Sequence, residues 1–242
     1  MENPADDPTR APTSAPPRTH DCPDRPGSSG SLDRLADDAR RLTATVPRAV
    51  LGIAGPPGTG KSTLARALAE RIGADAAYLP LDGFHLSNDQ LARLGLTGRK
   101  GSEPSFDVSG YVALLRRVLD DPGHDIYVPD YDRTLNEPIA ARHLVPPAAR
   151  LVITEGNYLA CDLPGWRAAL ALMAECWYVD APAEVRQQRL IARQLAGGRT
   201  AHEAADWVAV NDMPNGELVE SSRGRCGRIL STIGMDMFNY RQ

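Results

Sequence analysis

Residues 50–63 read Val-Leu-Gly-Ile-Ala-Gly-Pro-Pro-Gly-Thr-Gly-Lys-Ser-Thr. The apolar run Val50–Ala54 has the length of a buried strand. A helical apolar period then opens at Ser62 and runs to Ile72, where Gly73 closes it. Between the two, Gly55 to Ser62 fits GxxxxGK[ST]. Glycines in such a loop let backbone N–H groups turn inward, and the helix N-terminus adds positive potential, so the segment is built to cradle phosphate. Lys61 then supplies a compact ammonium for the β and γ oxygens, and Ser62 a hydroxyl for Mg2+. The expected ATP-binding stretch is Gly55, Pro56, Pro57, Gly58, Thr59, Gly60, Lys61, Ser62 and Thr63. The motif does not say where the phosphate goes.

Outward from this loop, short apolar runs alternate with helical periods. Strands are expected at Ala76–Leu81, Ile126–Val128, Leu151–Thr154 and Cys176–Val179. Helices are expected at Tyr111–Leu119, Trp166–Ala174, from Pro182 to about Leu195, and at Ala201–Val210. Strands separated by helices predict an α/β P-loop fold in three layers, a mostly parallel sheet with helices on both faces. Upstream, Ser31 reads as the N-cap of a short helix through Leu42 that Pro47 ends. Residues 1–30 carry seven prolines and hardly an aliphatic side chain, which predicts a disordered tail ahead of a single domain over 31–242. Gly227–Thr232 makes a poor strand, so the last sheet edge is open.

Composition narrows the function classes. The chain has 242 residues, net charge −4, 42% hydrophobic and 24% charged side chains, which suits one globular domain and excludes wholesale disorder. The acidic balance argues against a dedicated nucleic-acid binder. No run approaches the roughly 20 apolar residues of a membrane span, and no secretion signal is evident. Cys22, Cys161, Cys176 and Cys226 form no CxxC pair and read as buried thiols in a reducing compartment, with the cytoplasm expected. Of the 27 basic residues only Lys61 and Lys100 are lysines.

The acids choose among P-loop enzymes. Mechanical ATPases end the relevant strand in Asp-Glu, one acid for the metal and one for the attacking water. Here Leu151-Val-Ile-Thr-Glu155-Gly156 has one carboxylate, which suits metal binding and favours transfer to a bound acceptor over hydrolysis. Asp82, in Leu81-Asp-Gly-Phe-His85 at the end of the second strand, stands where such folds bind ligands and can take a proton from an attacking hydroxyl. His85 lies close enough to line an acceptor pocket.

The segments LDGFHLSN (81–88), GRKGSEPSFD (98–107), VPDYDR (128–133) and TEGNYL (154–159) resemble the phosphoribulokinase/uridine kinase family of P-loop kinases, over roughly residues 48–222. Within it they are most similar to a bacterial nucleoside/nucleotide kinase-like or sugar-kinase-like branch, related to pantothenate kinase. The resemblance implies Asp82 as catalytic base, Glu155 beside Ser62 at Mg2+, Asp107 on vicinal hydroxyls and Tyr131 in the substrate pocket. Uridine kinases carry a base-contacting histidine five residues after that tyrosine, where this chain has Asn136, which counts against a pyrimidine nucleoside. Lys100 resembles the pantothenate-kinase version of its loop, and Arg133 is placed to reach a substrate anion or a salt bridge.

Arg186, Arg189 and Arg193 share one helical face, three and four residues apart. By resemblance this is the family's lid, about 183–212, closing over the triphosphate. Arginine's planar fork suits phosphate oxygens and charge developing in a transition state. Arg189 and Arg193 are the expected catalytic arginines, Arg199 a further ATP contact, and Arg186 a structural one. The expected activity is transfer of the ATP γ-phosphate to a hydroxyl of a nucleoside, sugar or related alcohol. The alternative is an NTPase switch or mechanical ATPase acting through a protein partner, and an ATP-binding regulator would leave Asp82 and Asp107 idle. A homodimer is entertained, although no residue pattern sets the oligomeric state.

Overall fold

The computed structural model describes residues 29–232. The expected tail falls outside the described residues except for its last two positions, which belong to a helix. Helices α1 (Ser29–Arg41), α2 (Lys61–Ile72), α3 (Asn88–Arg93), α4 (Val108–Asp120), α5 (Trp166–Leu170), α6 (Ala183–Ala196), α7 (Ala201–Trp207) and α8 (Met213–Glu220) are joined to strands β1 (Ala49–Ala54), β2 (Ala76–Pro80), β3 (Ile126–Asp132), β4 (Glu137–Val145), β5 (Leu151–Gly156), β6 (Glu175–Asp180) and β7 (Arg228–Ser231). Five strands form one sheet in the order β2-β5-β1-β6-β7, every neighbouring pair parallel.

The sheet is covered on both faces, which is why its central strands are apolar without alternation. Val50 and Ala54 of β1 and Val152 of β5 pack with Tyr111 and Leu115 of α4 and with Trp166 of α5. Leu51, Ile53 and Ile153 face the other way, against Leu64 and Leu68 of α2 and Leu35, Ala36 and Ala39 of α1. Each such leucine or isoleucine removed from water contributes about 1.5–3 kcal/mol. β1 lies centrally with the phosphate loop at its carboxyl end, the crevice where open parallel sheets take their ligands.

Several elements differ from expectation. Ser31 lies inside the first turn of α1 and does not cap it. The strand from Ile126 extends to Asp132 and pairs antiparallel with β4, a separate two-stranded sheet. Glu137–Val145 carries Pro138, two alanines and Arg142, so it lacks the alternation that would announce a strand; its partner supplies the reason to be one. The register shifts between Val128 and Asp130, at Pro129, which has no N–H for the ladder. The helix from Trp166 ends at Leu170, well short of Ala174, whose N–H goes to the Val50 carbonyl. α7 stops at Trp207 and passes through a π-helical turn, Val208–Asp212, into α8. Gly227–Thr232 does contain a strand: β7 pairs parallel with β6 and takes its stability from that neighbour.

Candidate active site

The phosphate loop owes its shape to three glycines. Gly55, Gly58 and Gly60 have φ of 145°, 81° and 95°. A Cβ on Gly55 would lie 2.3 Å from the Val179 carbonyl oxygen, so β6 closes on the loop only because that position is bare. Thr59 is buried and its hydroxyl donates to the Pro56 carbonyl at 3.0 Å. Lys61 is also buried, and its Nζ donates to the same carbonyl at 2.8 Å. Burial lowers its pKa to about 8, against the pull of the Glu155 and Asp82 carboxylates.

Those two acids arrive on adjacent strands. Glu155 ends β5, is buried, and accepts a hydrogen bond from the Tyr78 hydroxyl of β2 at 2.8 Å. Burial and the neighbouring Asp82 push its carboxyl up, while Lys61, Tyr78 and Ser62 hold it down. Asp82 sits on a tight 3-10 turn, Leu81–Phe84, directly after β2. Gly83 is bare for a reason: a Cβ there would meet the Pro129 carbonyl at 2.4 Å, so the β3–β4 hairpin can press on this turn. Asp82 keeps a partly exposed side chain, with Arg133 Nη2 at 3.4 Å from its Oδ2. Ser62, Arg66, Tyr78, Pro80, Asp82, Asp130, Tyr131, Arg133 and Glu155 line one pocket.

The hairpin forms its far wall. The Tyr131 hydroxyl donates to Asn136 Oδ1 at 2.6 Å, and Asn136 takes a φ of 55° in the turn. Lys100 Nζ donates to Asn88 Oδ1 at 2.6 Å and to the Asn136 carbonyl, and lies 5.2 Å from the centre of the Tyr131 ring. The His85 ring is 4.0 Å from Phe106 and 4.9 Å from Tyr131, centroid to centroid, with Nδ1 2.8 Å from the Asp82 carbonyl oxygen. Burial keeps the His85 pKa below its ordinary value. Asp107 is the N-cap of α4, Oδ1 accepting from Gly110 N at 2.9 Å, and its own N–H goes to Phe84 next to the Asp82 turn.

Among the four arginines, Arg193 is near enough to Lys61 for the two charges to repel. It faces Arg133, Asp212 and Asp82, and burial lowers its pKa. Arg189 Nη1 donates to the Gly58 carbonyl at 3.2 Å, so it touches the phosphate loop itself. Arg186 is buried and pairs with Glu220 of α8. Arg199 is exposed and stacks over Trp207 at 4.4 Å. Trp166 and Trp177 are fully buried.

The sequence pattern of the ATPase family associated with various cellular activities (AAA) matches residues 51–110, the phosphate loop and the Asp82 turn. A Schizosaccharomyces pombe protein named "Putative uridine kinase C227.14" is 33% identical over 79% of this chain and 86% of its own. The Escherichia coli "Uncharacterized protein YggC" is 38% identical over 71% of this chain and 73% of its own. A solved "putative fructose transport system kinase" from Silicibacter sp. TM1040 superposes with a TM-score of 0.76 at 32% identity, over 82% of this chain and 98% of that one. The chain belongs to the phosphoribulokinase/uridine kinase family of P-loop kinases.

The pocket of this kinase includes residues that reading the sequence missed. Arg66 follows Ser62 by one helical turn on α2, so the i,i+4 spacing could have found it. Tyr78 was legible only as a strand residue. Asp130 accepts from the Tyr131 N–H at 2.7 Å and lies 2.8 Å from His143 Nε2 on β4; with β4 unrecognised, that pairing had no sequence signal. No described helix is long and apolar enough to cross a membrane.

Proposed function

We propose that this kinase transfers the γ-phosphate of ATP to a hydroxyl of a small molecule, with Asp82 as the base. The observation that carries the reading is one pocket lined by Ser62, Asp82 and Glu155, with the buried Lys61 close enough for both carboxylates to act on its charge. Asp82 takes the hydroxyl proton as the new O–P bond forms and the bond to the β,γ-bridging oxygen breaks, leaving ADP. Lys61, Arg193 and Arg189 neutralise the phosphoryl oxygens. Ser62 at the head of α2 and Glu155 on β5 fit Mg2+: the hydroxyl and the carboxylate are hard oxygen donors in contact with one another, and Mg2+ beside phosphate is held by one or two carboxylates. That ion would supply charge neutralisation on the phosphates; Ser62 and Glu155 would hold it.

Tyr131, His85, Lys100, Arg133, Asn136 and Asp107 surround the acceptor on this reading. The AAA-type match favours a second reading, an ATPase driving a protein partner. Against it, Gly156 stands where a water-activating acid would follow Glu155. The deciding experiment is ADP release from ATP across nucleosides, free sugars and pantothenate-like alcohols, with native protein and Asp82→Asn. Acceptor-dependent release that Asp82→Asn loses is expected, by about 100-fold or more, with ATP still bound. Steady hydrolysis indifferent to every acceptor and to Asp82→Asn would replace this reading with the second.

A further inference from the structure

The π-helical turn between α7 and α8 has no part in the chemistry above, yet beside the apolar Val208 it buries two polar side chains, and the first turn of α8 buries a third. Asn211 and Asp212 are each 7% exposed and Asn215 is 9% exposed. Polar side chains that deep are retained where their partners matter. Asn211 Nδ2 donates to the Lys100 carbonyl at 3.1 Å, and Asn215 Nδ2 to the Gly101 carbonyl at 3.4 Å. The Tyr158 hydroxyl donates to Gly101 as well, at 2.8 Å. The same turn therefore holds the backbone of the loop whose Lys100 side chain braces Asn88 and Asn136 at the acceptor pocket.

Asp212 looks the other way. Its Oδ1 lies 4.0 Å from Arg193 Nη2, and its Oδ2 is buried with no hydrogen-bond partner among the described residues. Arg193 is half-exposed and faces Asp82 and Arg133 on its other side. Asp212 also has a side-chain hydrogen bond with Gln194, and with Arg193 it forms a charge pair just outside hydrogen-bonding distance. A short movement of Arg193 would complete it. An inserted residue that widens a helix into a π turn is a recurrent way to re-aim side chains at functional sites.

We propose that the Val208–Asp212 turn couples the two halves of the active site: Asp212 positions Arg193 for the γ-phosphoryl group, and Asn211 with Asn215 ties that pair to the acceptor loop at Lys100–Gly101. Filling either side then tightens the other. The proposal rests on the kinase reading for the roles of the two sides. Arg193 is the group that meets phosphate; Asp212, Asn211 and Asn215 are positioning residues. Coupling of this kind is reciprocal, so it can be read without knowing the acceptor.

The test is backbone amide exchange over residues 97–105 in the full chain, with ADP alone and with ADP plus aluminium fluoride, which fills the γ-phosphoryl position. In the native protein, adding fluoride is expected to slow exchange in this loop about fivefold or more. Asp212→Asn and Asn211→Ala are expected to bind ADP as the native protein does and to lose the loop response. Asp212→Asn keeps the shape of the side chain, and unchanged ADP binding by each variant shows that it has folded. Asp82→Asn, without turnover on the kinase reading, is expected to keep the response, which separates failure of the coupling from failure of the reading. A native loop indifferent to aluminium fluoride, or variants that respond like the native protein, would overturn the coupling. Absence of ADP binding would overturn both.

Discussion

Lys61 shows how a single residue carries a testable sign. Burial lowers its pKa to about 8, below the ordinary lysine value, so the nucleotide-free protein loses the cation as pH rises through that region. The phosphates need the cation. Affinity for a non-hydrolysable ATP analogue is therefore expected to be full below pH 8 and to fall by up to roughly tenfold per unit above it. Titration calorimetry between pH 7 and 9.5 measures it, and a flat profile would mean that Lys61 keeps its proton throughout that range. Asp107 poses a different question, because its carboxylate already caps α4. Asparagine caps a helix as well as aspartate does, whereas alanine costs about 1 kcal/mol. Asp107→Asn is thus expected to keep the melting temperature and raise the acceptor KM if the carboxylate also meets hydroxyls. An unchanged KM leaves it a cap alone. Lys100, prominent in an arginine-rich chain, bridges Asn88 and Asn136 with its ammonium. A guanidinium in that space would displace one of them.

At the scale of elements, the hairpin and the Asp82 turn belong together. Gly83 lets the Pro129 carbonyl approach to a distance no Cβ tolerates. Gly83→Ala is expected to push β3 off the turn and shift Tyr131 and Arg133 away from Asp82, lowering kcat with acceptor tenfold or more, since misplacement of about 1 Å costs on that order. ATP affinity, set on the other side of β2, is expected to hold. Steady-state kinetics with each substrate varied would show the split. These elements were unevenly legible. The P-loop strand and helix, and the parallel strands after them, announce themselves because their apolar periods satisfy local rules. β4 does not, since Glu137-Pro-Ile-Ala-Ala has no alternation and becomes a strand only by pairing with β3. The π turn was invisible for a related reason: it continues a helical period, and only the Lys100 carbonyl and the Arg193 guanidinium explain why it buries Asn211 and Asp212.

Across the whole molecule, one arginine outside the site does the most to join distant parts of the chain. Arg48 is buried at the start of β1 and donates to the carbonyls of Ala149, Val118, Pro122 and Pro146 at 2.7, 3.1, 3.1 and 2.9 Å. It fastens the end of α4 and the approach to β5 onto the sheet. Arg48→Met would remove this donor from the carbonyls of Ala149, Val118 and Pro122, while Pro146 keeps the Ala149 N–H, at about 1–3 kcal/mol for each one left unpaired that water cannot reach. A loss of about 3 kcal/mol or more in urea unfolding is expected, with the nucleotide affinity of the folded fraction unchanged. A loss under 1 kcal/mol would mean that water replaces the guanidinium. Among the chain's many arginines this one reads, in sequence, like any other that precedes a strand.

The sequence by itself determined the phosphate loop, the parallel α/β fold and the positions of Asp82 and Glu155 at the carboxyl ends of strands, because these depend on local conformation and on residues a few positions apart. It could not decide that Arg189 lies against the Gly58 carbonyl, that Asp107 caps a helix, or that Arg66, Tyr78 and Asp130 line one pocket with Asp82. Those outcomes depend on contacts between segments distant in the chain. A side chain's role there is set by the carbonyl or carboxylate that folding brings opposite it, and no periodicity encodes that partner.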